Sequence, residues 1–458
     1  MTGKRRLLRR SMVLLSVLVT LTILFTYFII RESVLIDGTD VGTDELKRSA
    51  LNNAARNSVI EGSIYDSEGT LITQADETGV SGECRYPSFS YLIGYNNGET
   101  TFGLRGRYQK HLHTGVVGQR GADMKLTARA DIQEKAASIL SASGMSGSII
   151  VLDVKSGRII ALASRRGIDF NVNTLSENYK LYSEQKDFFY PPGYKDADPP
   201  GSTFKMITAS AMLENGMAGW TYNDTGEAVF DGVALHNARN GSYGNIGLQT
   251  ALSKSVNTYF ATAAVELGPD ALEKKAREFL IGEDIELDFT TLHSNFDLGS
   301  GSDLLTAATG FGQGRLLMTP LHIAMAAQSI ANDGVMLKPW LVESIKLDKK
   351  VLLEGKTVRL GRTMKRGTAS RLRELLHNTA VDQYGLKEKK YGDICAKTGT
   401  AELGSGCDHI YFVAFNERYV VMCSANDTNG LFGSSLVSWA KEMYGYLADH
   451  PYYYRENN

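Results

Sequence analysis

Cysteine is scarce in this chain, and no two cysteines stand in a C-x-x-C pair. Cys84, Cys395, Cys407 and Cys423 are the four among 458 residues. That spacing excludes a zinc ribbon and a dithiol redox motif. It fits isolated buried thiols, and it assigns no disulfide. Low-complexity tracts and short repeats are also missing, so neither a solenoid nor a long disordered linker is indicated. Positive charge is not in surplus. The formal net charge is −2, and residues 1–31 hold six of the 49 basic residues and no acidic one. The remainder carries 43 basic and 51 acidic residues, a balance of −8 that argues against a nucleic-acid partner. His111 and His113 form an H-x-H pair with no acidic or cysteine partner nearby. The pair is read as solvated rather than as half of a metal site. No metal or organic cofactor is expected.

One long apolar run is present. Residues 11–30 contain no charged side chain, and twenty helical residues span roughly 30 Å, the thickness of a bilayer's hydrocarbon core. Lys4, Arg5, Arg6, Arg9 and Arg10 precede the run. The positive-inside rule then leaves residues 1–10 as a cytoplasmic tail, makes 11–30 an uncleaved signal-anchor and exports the rest. The run is long for a cleaved signal peptide, and no small-x-small site follows it.

Residues 33–130 read as a separate small module. Residues 63–72 give strand, turn and strand, with Gly69 at the turn. From Ala130 the texture changes. Asp131 to Ala142 has helical periodicity, and a β-hairpin signal follows at 148–153 and 158–162 around Lys155-Ser156-Gly157. Helices are expected over 202–215, 248–267, 320–332 and 434–447, and strands over 394–401, 409–415 and 419–425. Strands at both ends with helices between imply an α+β domain, 131–458, whose sheet is assembled from its termini.

Three motifs carry the chemistry: Ser202-x-x-Lys205, Ser255-x-Asn257 and Lys397-Thr398-Gly399. Singly they are weak. Ser-x-x-Lys also starts at Ser183 and Ser438, and Ser-x-Asn also starts at Ser176 and Ser424. Context selects among the copies. Ser202 follows Pro199-Pro200-Gly201 and opens an apolar helical run, so free N–H groups and the helix dipole face it. Lys205 lies on the same helical face. A serine hydroxyl needs a base, and a lysine whose pKa is lowered by burial can be that base. Asn257 can accept from the lysine and donate to a substrate amide, and Ser255 can pass a proton to a leaving amine. Lys397 offers charge to a carboxylate, and Thr398 and Thr400 offer hydroxyls. Gly399 allows another backbone to approach the strand. The N–H groups of Ser202 and Thr400 are the candidate oxyanion hole.

These motifs, in this order, are those of penicillin-binding proteins and class A β-lactamases. With Ile150-Val151-Leu152-Asp153, Pro199-Pro200-Gly201-Ser202-Thr203-Phe204-Lys205, Gly310-Phe311-Gly312-Gln313-Gly314 and Lys397-Thr398-Gly399-Thr400-Ala401-Glu402, residues 131–447 resemble the transpeptidase domain of class B penicillin-binding proteins. Residues 33–130 more loosely resemble that family's N-terminal pedestal, a dimerisation-like domain. The resemblance implies a penicillin-binding, serine-transpeptidase fold, with an antiparallel sheet flanked by helices and a helical subdomain. It implies a peptidoglycan D,D-transpeptidase of cell-wall synthesis. Ser202 would attack the penultimate D-Ala carbonyl of a stem peptide, and β-lactams would acylate the same serine. Lys205 would be the base, Ser255 and Asn257 the relay and positioning pair, and Lys397, Thr398 and Thr400 the carboxylate site. A membrane glycan polymerase is the partner expected for the family. A D,D-carboxypeptidase, a non-catalytic scaffold of a wall-building complex and a β-lactam sensor are the alternatives. No Glu-x-x-Leu-Asn loop of the β-lactamase kind lies between Asn257 and Lys397. Pro-Pro-Gly occurs twice, at 191–193 and 199–201, and the residues between read as an insertion beside the active-site mouth.

Overall fold

The computed structural model describes residues 59–75, 82–96, 101–116, 118–185, 187–299, 302–401, 408–428 and 430–453. The expected tail and anchor, 1–30, lie outside the described residues, as does Cys407. Cys84, Cys395 and Cys423 are free and buried.

A five-stranded antiparallel sheet organises the larger domain. Its order is Cys395–Ala401, His409–Phe415, Tyr419–Asn426, Ser146–Asp153 and Ile159–Arg165, so strands from both ends of the domain meet at its centre. The run Ile149-Ile150-Val151-Leu152 is apolar at every position because both faces are covered. Ile149 and Val151 pack with Ile132 of helix Ala130–Ser143 and Ala440 of helix Val437–Asp449. Ile150 and Leu152 face the opposite core, shared with Ile323 and Ala327 of helix Pro320–Ala331. A sheet with one wet face would have shown alternation instead.

The strand Cys395–Ala401 is an edge of this sheet. Helix Arg366–Tyr384 and the turn Gly201–Thr203 pack against it, helix Lys205–Glu214 packs on Arg366–Tyr384, and helix Asn257–Leu267 packs on Lys205–Glu214, so the cleft beside the edge strand is where a ligand can reach strand and helices.

The described part of the expected module 33–130 shares a sheet with the larger domain. Its described strands Ile64–Tyr65, Leu71–Gln74, Glu83–Cys84 and Asp123–Leu126 share a six-stranded sheet with Val342–Leu347 and Lys350–Glu354 of the larger domain. Met124 pairs with Ile345 across that junction, and both are fully buried in one core. Inside the module, Arg105 forms a buried ion pair with Glu61 at 3.0 Å and donates to Gly94 O and Thr73 Oγ1. His113 is buried rather than solvated, with Nδ1 2.9 Å from Val59 O and Nε2 3.3 Å from Asn96 Nδ2.

Candidate active site

Ser202 lies in a 3-10 turn, Gly201–Thr203, and Lys205 opens the helix Lys205–Glu214. Glycines set the position of this turn. Gly201 has φ +53° and donates its N–H to Gly312 O at 2.9 Å, and a Cβ on it would stand 2.3 Å from Thr400 O. A Cβ on Gly399 would stand 2.8 Å from Pro200 O. The nucleophile turn and the Lys397 strand therefore meet at a separation that only side-chain-free residues permit.

The expected helix 248–267 is two helices, Leu248–Lys254 and Asn257–Leu267. The break between them is part of the site. Ser255 adopts the left-handed conformation, φ 56° and ψ 45°, which costs a non-glycine residue of order 1 kcal/mol or more. Behind the break, Thr258 Oγ1 donates to Asp224 Oδ1 at 2.6 Å, and the Thr258 N–H donates to Asn237 Oδ1 at 3.0 Å. Asn237 Nδ2 in turn donates to Asp224 Oδ1 at 2.9 Å. This buried network pins the start of the second helix and so the place of Asn257.

All three motifs converge on two lysines. Lys205 Nζ stands 2.9 Å from Ser202 Oγ, 2.7 Å from Ser255 O, 2.7 Å from Asn257 Oδ1 and 3.2 Å from Ser255 Oγ. Lys397 Nζ donates to Ser255 Oγ at 3.0 Å and to Thr398 O at 3.2 Å. Ser255 is thus a hydroxyl bridge between the two amines. Asn257 Nδ2 donates to the backbone carbonyl of His236 at 3.0 Å, so one of its two N–H donors is engaged by protein.

Both lysines are fully buried, and among the described residues no carboxylate forms an ion pair with either. Burial pushes Lys205 well below the ordinary lysine range, and the neighbouring Lys397 charge pushes it further. Burial alone brings Lys397 to about 7. The rings of Phe260 and Phe311 lie 5.7 Å and 6.0 Å from Lys205 Nζ and help keep water from it. Lys205 is therefore the amine that gives up its proton first, and Lys397 holds its charge to the higher pH.

The edge strand supplies the rest. Thr400 is half-buried, and its Oγ1 accepts from the Gly433 N–H at 3.3 Å. Thr398 meets Tyr384, at the end of helix Arg366–Tyr384, with 2.9 Å between the two hydroxyl oxygens. Arg239 lies over the ring of Phe432 at 4.4 Å. That contact joins the loop after His236 to the loop before Gly433, one from each wall of the cleft.

The other motif copies stay out of the site. Ser183 and Ser438 are exposed and donate to the carbonyls of Lys180 and Ser435. Ser424 pairs with Ser148 inside the sheet at 2.7 Å, and Asn178 donates to Thr174 O. Between the two Pro-Pro-Gly copies the chain is tied to the body. Tyr194 is buried with its hydroxyl on Tyr91 O, Asp196 pairs with Arg166 at 2.8 Å, and Asp198 Oδ2 stands 2.9 Å from His409 Nδ1. Tyr384, Phe260 and the backbone of His236 were not singled out from sequence. Phe311 carries a signal, since it sits within Gly310-Phe311-Gly312-Gln313-Gly314.

Residues 147–447 match the family model described as the penicillin-binding protein transpeptidase domain. The chain belongs to that family. Among curated proteins, this penicillin-binding protein is 27% identical to penicillin-binding protein 3 of Bacillus subtilis, across 63% of this chain and 44% of that one. It is 28% identical to the peptidoglycan D,D-transpeptidase PbpA of Mycolicibacterium smegmatis, across 65% of each chain. The chain thus spans about half to two thirds of the length of the curated relatives it matches, and such relatives place it with the class B proteins. Among solved structures, the D,D-transpeptidase domain from Eggerthella lenta superposes with a TM-score of 0.76 at 24% identity, covering 86% of this chain and 99% of that one. Penicillin-binding protein A of M. tuberculosis, solved as a ceftriaxone acyl-enzyme complex, gives a TM-score of 0.77 at 21% identity, covering 86% and 99%. These superpositions establish the shared fold.

Proposed function

We propose that this penicillin-binding protein is a serine D,D-transpeptidase that cross-links peptidoglycan stem peptides, held in the cell membrane by residues 11–30 with its catalytic domain outside the cytoplasm. The observation that carries the reading is the environment of Lys205 Nζ. Two of its neighbours, Ser255 O and Asn257 Oδ1, are carbonyl oxygens that can only accept. A neutral amine has two N–H donors and one lone pair. The two carbonyls take the donors, and the lone pair is left for a hydroxyl, of which Ser202 Oγ at 2.9 Å stands nearer than Ser255 Oγ at 3.2 Å. The arrangement suits removal of the Ser202 proton.

In the reaction, Ser202 Oγ bonds to the penultimate D-Ala carbonyl carbon as its proton passes to Lys205. The N–H groups of Ser202 and Thr400 stabilise the oxyanion. The tetrahedral intermediate collapses, the C–N bond breaks, and a proton returns to the leaving amine of the terminal D-Ala through Ser255. An amine on a second stem peptide then attacks the ester, gives its proton to the same relay and releases Ser202. Lys397, Thr398 and Thr400 hold the donor's carboxylate. Relatives named as D,D-transpeptidases support this activity. A membrane glycan polymerase is the partner proposed on the family resemblance.

The test uses the full chain in detergent. A fluorescent penicillin should label it covalently, and Ser202→Ala should abolish the label. Donor and acceptor stem peptides should yield a cross-linked dimer by mass spectrometry. Release of D-Ala without dimer would make the enzyme a carboxypeptidase, and a label that survives Ser202→Ala would overturn the nucleophile.

A further inference from the structure

Tyr384 sits at the last position of the long helix Arg366–Tyr384, immediately before Gly385, which caps the helix in the left-handed conformation at φ 62°. Its ring stands edge-on to Phe412, with centroids 5.2 Å apart and planes at 89°. Phe412 is the register partner of Thr398 in the neighbouring strand. The phenol is thereby held against the open side of the edge strand. The Thr398 N–H donates to the Tyr384 hydroxyl at 3.3 Å, and the same hydroxyl lies 2.9 Å from Thr398 Oγ1.

Proton counting then selects one arrangement for the proposal. Either hydroxyl can be the donor in that contact; with the phenol oxygen accepting the Thr398 N–H, donation from the phenol to Thr398 Oγ1 uses each group once. A threonine hydroxyl that accepts from Tyr384 keeps its hydrogen for another acceptor. Burial raises the Tyr384 pKa above its ordinary value, consistent with a phenol that keeps its proton.

We infer that Tyr384 is a positioning residue for the substrate carboxylate: it turns the Thr398 hydroxyl into a fixed donor toward the cleft and, by occupying the Thr398 N–H, ends the strand's open edge before Thr400. This inference rests on the reading of Lys397, Thr398 and Thr400 as the carboxylate site. Antiparallel pairing alternates its outward groups at every second residue. An extended donor peptide therefore finds its first free outward backbone groups on this strand at Thr400, beside the Ser202 turn, and not one pair earlier.

The test compares two probes that differ only in the carboxylate, a penicillin and its methyl ester. Second-order acylation constants are measured on the full chain by intact-mass spectrometry. In Tyr384→Phe the free-acid to ester ratio should fall about tenfold, as for one hydrogen bond lost from the recognition of a charged group. Thr398→Val should lower the same ratio, and the double variant should fall no further than the larger single effect. The thermal midpoint of each variant reports its folding. A ratio unchanged in Tyr384→Phe, including one in which both constants fall equally, would overturn the inference. So would full additivity of the two substitutions. If the unsubstituted chain forms no adduct with either probe, the transpeptidase reading itself fails, which is a separate result.

Discussion

Two sites of buried positive charge, one in the N-terminal module and one in the cleft, are built in opposite ways. In the N-terminal module, Arg105 is 2% exposed and faces Glu61 at 3.0 Å, with further acceptors on Gly94, Thr73 and Gly82. Every part of that guanidinium is answered. In the cleft, Lys205 and Lys397 are fully buried, and their neighbours are neutral hydroxyls, amides and carbonyls. One site neutralises its charge with a counterion. The other leaves the charge unpaired, so the cheapest response is to lose a proton. The same desolvation that makes an unpaired buried ion costly turns a lysine into a base at neutral pH. Paired charge holds structure, and unpaired charge is kept for chemistry.

Exchanging one partner at each site separates these roles. Lys205→Met should lower the acylation rate constant by about 10²–10⁴, the range for loss of a positioned general base. It should leave the unfolding free energy within about 1 kcal/mol, because methionine fills a desolvated site without a charge to solvate. Arg105→Met should behave in the reverse sense. It strands the Glu61 carboxylate in the core and should cost about 3–5 kcal/mol by denaturant titration. Acylation per folded molecule should be unchanged. A Lys205 variant that unfolds, or an Arg105 variant that folds as well as the parent, would break the comparison.

Much of the site was legible in the sequence because the motifs are local. Ser202 and Lys205 stand three residues apart where a 3-10 turn leads into a helix, and Lys397 to Thr400 share one strand, so spacing together with the Pro-Pro-Gly entry and the apolar helix places them. The central sheet was legible for a related reason: its strands are short apolar runs bounded by turn residues. What could not be read depends on contacts between distant segments. Ser255 was expected inside a continuous helix, because serine carries no signal for the left-handed conformation that breaks it. Tyr384 is one of 22 tyrosines, and nothing in its helix announces that its hydroxyl will reach Thr398. The Glu61–Arg105 pair joins residues 44 apart. The hairpin at 342–354 completes a sheet begun at residue 64, so the module that looked separate shares its core with the larger domain. His113 was read as solvated because a histidine next to Leu112 in a polar stretch does not reveal that Val59 O and Asn96 will enclose it.

The unpaired lysine pair is tested most directly by the pH dependence of acylation in the free enzyme. The rate constant for a neutral penicillin ester removes the titration and charge of the probe and reports on Lys205 alone with its neighbours. A depressed lysine is neutral above its folded pKa, so the constant should rise with pH, and the rise should be complete well below the ordinary lysine value near 10.4. With the free acid, which needs the Lys397 charge, the constant should pass through a maximum and decline as Lys397 titrates at about 7. The declining limb should vanish in Lys397→Met. A constant that climbs without a plateau into the ordinary lysine range would show that Lys205 keeps its proton at neutral pH, and would contradict the account.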